Sequence, residues 1–185
     1  VLVPTRPHHL ADLTAVSAGQ DGLLTRSQAV AAGISDDALA HRVGPGGRWQ
    51  RVLPRVYATF TGRLTESQRR TAALLYAGPQ AMLGGPTAAS LLGLRYAPTD
   101  RRVHVLLPHA VRRRSVGFVA IRRTTHRLVP WYAGEWPVCP PEVAVVDATR
   151  AMRSLRDVRA LVCESVQRRR TTPSELMRAL TAGGS

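Results

Sequence analysis

The sequence predicts an α+β chain in two parts, an N-terminal winged helix-turn-helix followed by a mixed α/β second domain that carries a basic β-hairpin. Three observations carry that prediction. Three short helical patterns come first, with Gly33-Ile34-Ser35 between the second and third, and two β-like runs follow directly. The second half then mixes β-rich and helical runs with no internal repeat. The domains are expected at 1–62 and 63–185.

Taken in order, Leu10, Leu13 and Val16 recur at helical spacing and Gly19 offers a stop. Thr25 and Gln28 have the spacing of a capping box, opening a helix through Ala29 and Ala32 that ends at Gly33. Gly33 permits a positive backbone angle, Ile34 can plug the angle between two helices, and Ser35 can cap the next one. In that third helix Leu39 and Val43 share a face, and Asp36 and Asp37 suit its positive end. Gly44-Pro45-Gly46-Gly47 breaks it, and 49–52 and 56–59 read as a two-stranded ribbon around Leu53-Pro54-Arg55.

Beyond the ribbon, Thr65 and Gln68 repeat the capping-box spacing before a helix that ends near Gly78, and a second helix is expected over 86–92. The β-rich runs 103–107 and 116–122 are expected to pair as a hairpin whose tip carries Arg112, Arg113 and Arg114. Ser154 and Asp157 open a helix with apolar positions from Leu155 to Val166, and Thr172-Pro173-Ser174-Glu175 starts the last one. The final residues, 182–185, read as frayed.

All 26 basic residues are arginine, with no lysine, against 12 acids, for a net charge of +14 over 185 residues. Such a chain attracts polyanions whatever its fold, and arginine suits forked contacts with phosphate and with guanine edges. A GC-rich genome also accounts for the missing lysine, though not for the shortage of acids. The absence of lysine excludes a Walker A lysine, a Schiff-base lysine, a Ser-x-x-Lys pair and the usual lysine of restriction-type nucleases. Acids are scattered, and Asp147 reads as a helix cap or as the ion-pair partner of an arginine. Cys139 and Cys163 lack zinc spacing and read as inert buried thiols, and neither metal nor cofactor is expected. No apolar run is long enough to span a bilayer and no signal-peptide stretch is present, so a cytoplasmic, nucleoid-associated location is expected.

Residues 22–29 (Gly-Leu-Leu-Thr-Arg-Ser-Gln-Ala), Ala32-Gly33-Ile34-Ser35, 47–52 (Gly-Arg-Trp-Gln-Arg-Val) and 55–58 (Arg-Val-Tyr-Ala) resemble the N-terminal winged helix of AbiEi-type antitoxins. Residues 87–94, the expected basic hairpin and Val145-Val146-Asp147-Ala148 are similar, more loosely, to the second domain of actinobacterial members. The resemblance implies the antitoxin half of a type IV toxin-antitoxin system used in phage defence and plasmid maintenance. Such a protein represses its own operon at promoter inverted repeats in double-stranded DNA, as a paired or dimeric binder, and opposes a nucleotidyltransferase-like toxin. Two departures stand out. Some relatives continue into a nuclease-like domain where this chain stops, and Arg55 replaces a glycine that relatives often carry before the Val-Tyr pair.

In a winged helix the second helix of the turn enters the major groove. Here that helix offers Ser35, Asp37, Ala38, His41 and Arg42, with Arg42 and His41 the strongest candidates for base or phosphate contact; Asp36 and Asp37 would repel a backbone they faced. Arg26 and Gln28 flank the start of the preceding helix, where one phosphate can be anchored, although Gln28 can equally be only a cap. The wing contributes Arg48, Arg51 and Arg55, of which at least two should share a face, while Trp49 and Tyr57 are expected to pack in the core rather than stack on bases. Between Arg101 and Arg127 lie eight arginines and no acid. That segment extends a DNA footprint, docks an acidic toxin surface or RNA, or is a solvated hairpin. Arg168-Arg169-Arg170 ends a helix and reads as structural. Two functions are therefore carried forward: a non-enzymatic, sequence-specific DNA-binding antitoxin and autorepressor, or the recognition portion of a larger nuclease-type enzyme.

Overall fold

A computed structural model describes residues 8–182 of the chain, with side chains from Leu13 onward. The expected fraying of Gly183-Gly184-Ser185 lies outside the described residues. The class is α+β, and the chain divides into two compact units, Val1–Tyr76 and Ala77–Ser185.

The first unit begins with α1 (His8–Ala18), β1 (Leu23–Thr25), α2 (Arg26–Ala31) and α3 (Asp36–Val43). The hairpin β2 (Gln50–Leu53) and β3 (Val56–Ala58) follows, and β3 lies centrally in a three-stranded sheet of order β1-β3-β2. The capping box of α2 is formed: the Thr25 N–H donates to Gln28 Oε1 at 2.8 Å and the Gln28 N–H to Thr25 Oγ1 at 3.2 Å. Gly33, at φ +80°, turns the chain from α2 into α3, a conformation that favours glycine. Ile34 is then buried with Leu13, Leu24, Ala29, Leu39 and Tyr57, and Val43 and Trp49 pack against this cluster. Burying a leucine or tyrosine there contributes about 2 kcal/mol, so the short helices are held by this shared core more than by propensity.

Strand β1 was not legible as a strand. It has three residues, and pairing Leu24 with Tyr57 is what brings it into the sheet. The expected domain boundary at 62 also moves. Helix α4 (Glu66–Ala77) joins the first unit up to Tyr76, because Asp21 anchors it: the Asp21 carboxylate accepts from Ser67 Oγ at 2.7 Å and Thr71 Oγ1 at 3.0 Å.

The second unit contains a five-stranded sheet of order β6-β5-β4-β8-β7, made of β4 (Met82–Leu83), β5 (Val103–Pro108), β6 (Val119–Thr124), β7 (Trp131–Ala133) and β8 (Trp136–Val138). Its helices are α5 (Gly85–Leu91), α6 (Pro141–Thr149), α7 (Leu155–Gln167) and α8 (Pro173–Ala182). The core gathers Leu83, Val105, Leu107, Val119, Val138, Val145 and Leu161, all essentially inaccessible.

One expectation is overturned. β5 and β6 do not form an arginine-tipped hairpin; they pair in parallel, from Val103 opposite Val119 to Pro108 opposite Thr124. After β5 the chain doubles back, and the tight turn lies instead at Gly117 (φ +52°), where Val116 and Val119 form an antiparallel bridge. The Ile121 N–H donates to Ser115 Oγ at 2.9 Å, which lays the returning segment beside β6. The glycine, with its access to positive φ, sets the turn rather than the arginine run. The three consecutive like charges stay exposed in an irregular segment instead of closing into a tip.

Candidate nucleic-acid interface

Ser35 is the N-cap of α3, its Oγ accepting the Ala38 N–H at 3.2 Å. Leu39 points into the core, which leaves Asp37 and His41 exposed along the other side of the helix and Ser35 exposed at its cap. Asp36 does not face outward as a lone charge. It pairs with Arg26, the first residue of α2, so each cancels the other and Arg26 is not a free phosphate anchor. Both side chains are exposed enough that this pair adds little stability. Its consequence is electrostatic, since one of the two acids expected to repel a phosphate backbone is neutralised.

Gln28 is likewise spent. Its Oε1 serves the capping box, and its Nε2 donates to Gln20 Oε1 at 3.3 Å, so the cap reading holds. Arg42 turns back along its own helix, donating from Nη1 to the Ala38 carbonyl at 3.4 Å and lying 5.4 Å from the centroid of the Trp49 ring. That cation–π contact pins the entry to the hairpin. The Trp49 N–H also donates to the Arg42 carbonyl at 3.0 Å.

The hairpin arginines stand differently. Arg48, Arg51 and Arg55 are all exposed, and their side chains make no hydrogen bond or ion pair among the described residues. They do not share a strand face as the ribbon spacing suggested. Only Arg51 lies within a strand, Arg48 precedes β2, and Arg55 occupies the turn at φ +63°. A left-handed arginine is strained, in a conformation that favours glycine. The Arg26 N–H donates to the Arg55 carbonyl at 2.8 Å and fixes this turn against the start of α2.

In the second unit Arg112, Arg113 and Arg114 are exposed along the segment beside β6. Other arginines of the basic stretch are neutralised. Arg122 pairs with Asp147, which settles Asp147 as an ion-pair partner, and Arg102 donates to Asp100 at 2.9 Å. Asp100 also meets His104 Nε2 at 2.8 Å. Hydrogen bonding from the Arg102 side chain, outweighing burial, holds the Asp100 carboxyl well below the usual carboxylate range.

Arg168 closes on Glu164 at 2.8 Å, in keeping with a structural reading of the 168–170 run. Burial pushes the Glu164 carboxyl up, but the Tyr96 and Arg95 backbone amides and the Arg168 charge outweigh it, and the net shift is downward. Cys139 is buried and pushed up to about 12 by that burial, as an inert thiol should be, whereas Cys163 is exposed and not buried as expected. Among the described residues no three His, Cys, Asp or Glu side chains converge as a metal site, and no helix is long and apolar enough to cross a membrane.

No protein-family model and no curated protein matches the chain. Among solved structures it is similar to the RV2827C protein from Mycobacterium tuberculosis, with a TM-score of 0.50 and 17% identity, over 100% of this chain and 83% of that one. At that identity the likeness is one of fold alone.

Proposed function

We propose that this chain is a non-enzymatic, sequence-specific DNA-binding protein that reads duplex DNA through its first unit as a winged helix-turn-helix. In this reading it represses its own operon at inverted repeats and serves as an antitoxin to a nucleotidyltransferase-like toxin. The observation that carries the DNA reading is the hairpin trio Arg48, Arg51 and Arg55, exposed and unpaired next to a helix that presents Ser35, Asp37 and His41. The antitoxin role rests on the resemblance of residues 22–58 to AbiEi-type proteins. Arg26 and Arg42 act here by positioning, one by neutralising Asp36 and the other by holding Trp49.

The test is an anisotropy titration of the chain against its own promoter and against an unrelated duplex of equal length. Tighter binding to the promoter by about a thousandfold or more, typical of specific recognition, is the expected result. Equal affinity for both would reduce the protein to a nonspecific polyanion binder.

A further inference from the structure

The second unit holds a groove of about 850 Å³ over the ends of β5 and β6, and the duplex-reading surface does not use it. Its lining is apolar at depth, where Met82, Leu106 and Leu107 are buried. Its rim carries Arg127, His109, His126 and Tyr132, and none of its lining residues is an acid. The hollow beside it, which shares Arg127 and His126, is lined by Glu142, Asp147 and Glu175. Arg127 nonetheless makes no ion pair or hydrogen bond among the described residues, and neither does the side chain of His109. Arg122 shows what these arginines do when an acid is within reach.

Tyr132 is the second element. Its side chain lines the groove from edge strand β7, opposite Pro137 of β8, and the residue is 67% exposed. Leaving an aromatic ring out of the core forgoes hydrophobic stabilisation. The rim is held in place, because His126 Nε2 lies 2.8 Å from the Ala182 carbonyl at the end of α8.

An apolar floor, an exposed aromatic residue at its edge, and a guanidinium that pairs with none of the neighbouring carboxylates select a ligand with a flat apolar body and an anionic end. The groove has the size of a small-molecule site. We infer that it binds a nucleoside monophosphate unit, with Tyr132 stacking on the base and Arg127 and His109 holding the phosphate. Bases stacked within a duplex cannot present their faces to it, so the unit comes from a free mononucleotide or from a single strand.

Calorimetric titration of the full chain with nucleoside 5′-monophosphates, the matching nucleosides and inorganic phosphate tests this directly. The monophosphates should bind one to one, with nucleoside and phosphate each weaker by about tenfold or more. Tyr132→Ala and Arg127→Ala should each weaken the monophosphates by about tenfold, the usual scale of one base stack or one charged contact. Tyr132→Phe, which keeps the ring, should leave binding intact, and unchanged circular dichroism and unfolding midpoints of the two alanine variants exclude misfolding as the cause. A single-stranded tetranucleotide that binds more tightly than its monomer identifies a strand as the source; equal affinity identifies the free nucleotide. The variant lacking Arg48, Arg51 and Arg55 should keep this site, so failure of the duplex reading and failure of this one are separable. No heat with any monophosphate, or binding unchanged in both Tyr132→Ala and Arg127→Ala, would overturn the inference.

Discussion

Arg55 shows how a single backbone angle joins stability to recognition. At φ +63° it sits where side chains other than glycine are strained, yet it holds one of the three unpaired guanidinium groups of the hairpin. Arg55→Gly should therefore leave the unfolding free energy unchanged or raise it by up to about 1 kcal/mol, while weakening DNA binding. Arg55→Val should cost about 1 to 2 kcal/mol, because a β-branched side chain is least tolerated at this angle. Urea unfolding of the two variants distinguishes them, and a loss of stability in Arg55→Gly would mean that the arginine makes a folded-state contact. At this scale the sequence was read well where chemistry is local. The caps at Thr25 and Ser35 and the core roles of Ile34, Trp49 and Tyr57 follow from spacing and polarity. It was read poorly where a partner arrives from elsewhere. Arg26 meets Asp36 ten residues on, and Arg42 folds onto Trp49 across a Gly-rich turn; charge composition identifies such arginines without saying which will be spent.

Among the elements, the N-terminal caps are the most direct handle on the helices that position the interface. Ser35→Ala removes the acceptor for the Ala38 N–H and should cost about 1 kcal/mol. Thr25→Ala breaks one side of a reciprocal box and should cost at least as much, with both measured by thermal or urea unfolding. Asp21→Ala should loosen α4 by removing the acceptor for Ser67 and Thr71, speeding amide exchange along that helix ahead of α2 and α3. Unchanged exchange in α4 would assign its anchoring to other contacts. Element existence was legible for every helix but α6, since capping residues and apolar periodicity are local signals and α6 opens after Pro140 with no side-chain cap. Strand pairing was not. The parallel arrangement of β5 and β6 turns on Gly117 rather than on the arginine run, and the β7–β8 hairpin is only three residues on each side, with Pro130 just before β7 and Pro137 inside β8. Gly134, at φ +64° between Ala133 and Glu135, is the signal that marks that second turn.

For the whole molecule, charge is the governing quantity. The positive charge is carried by 26 arginines, whose guanidinium groups stay protonated through the neutral and mildly alkaline range. Acid is another matter. Asp100 and Glu164 both have carboxyl groups held below their ordinary values in the folded state. Their contribution to stability is thus fully present above the ordinary carboxyl range, near pH 4, and is lost as pH falls through the lower folded-state values. Glu164→Gln should remove the Glu164 part of this acid dependence, leaving that of Asp100, at a cost of about 1 to 3 kcal/mol at neutral pH, since the buried site meets Arg168 and the Tyr96 amide. A pH series of unfolding midpoints reads both effects.

The most direct measurement for the DNA-binding account is the salt dependence of promoter binding, compared between the native chain and the variant with Arg48, Arg51 and Arg55 replaced by alanine. Each phosphate contact contributes about 0.9 to the slope of log affinity against log salt. If the three arginines grip the backbone, the variant's slope should fall by about 2 to 3. An unchanged slope would mean that the hairpin does not touch the backbone, and the proposed recognition surface would be wrong.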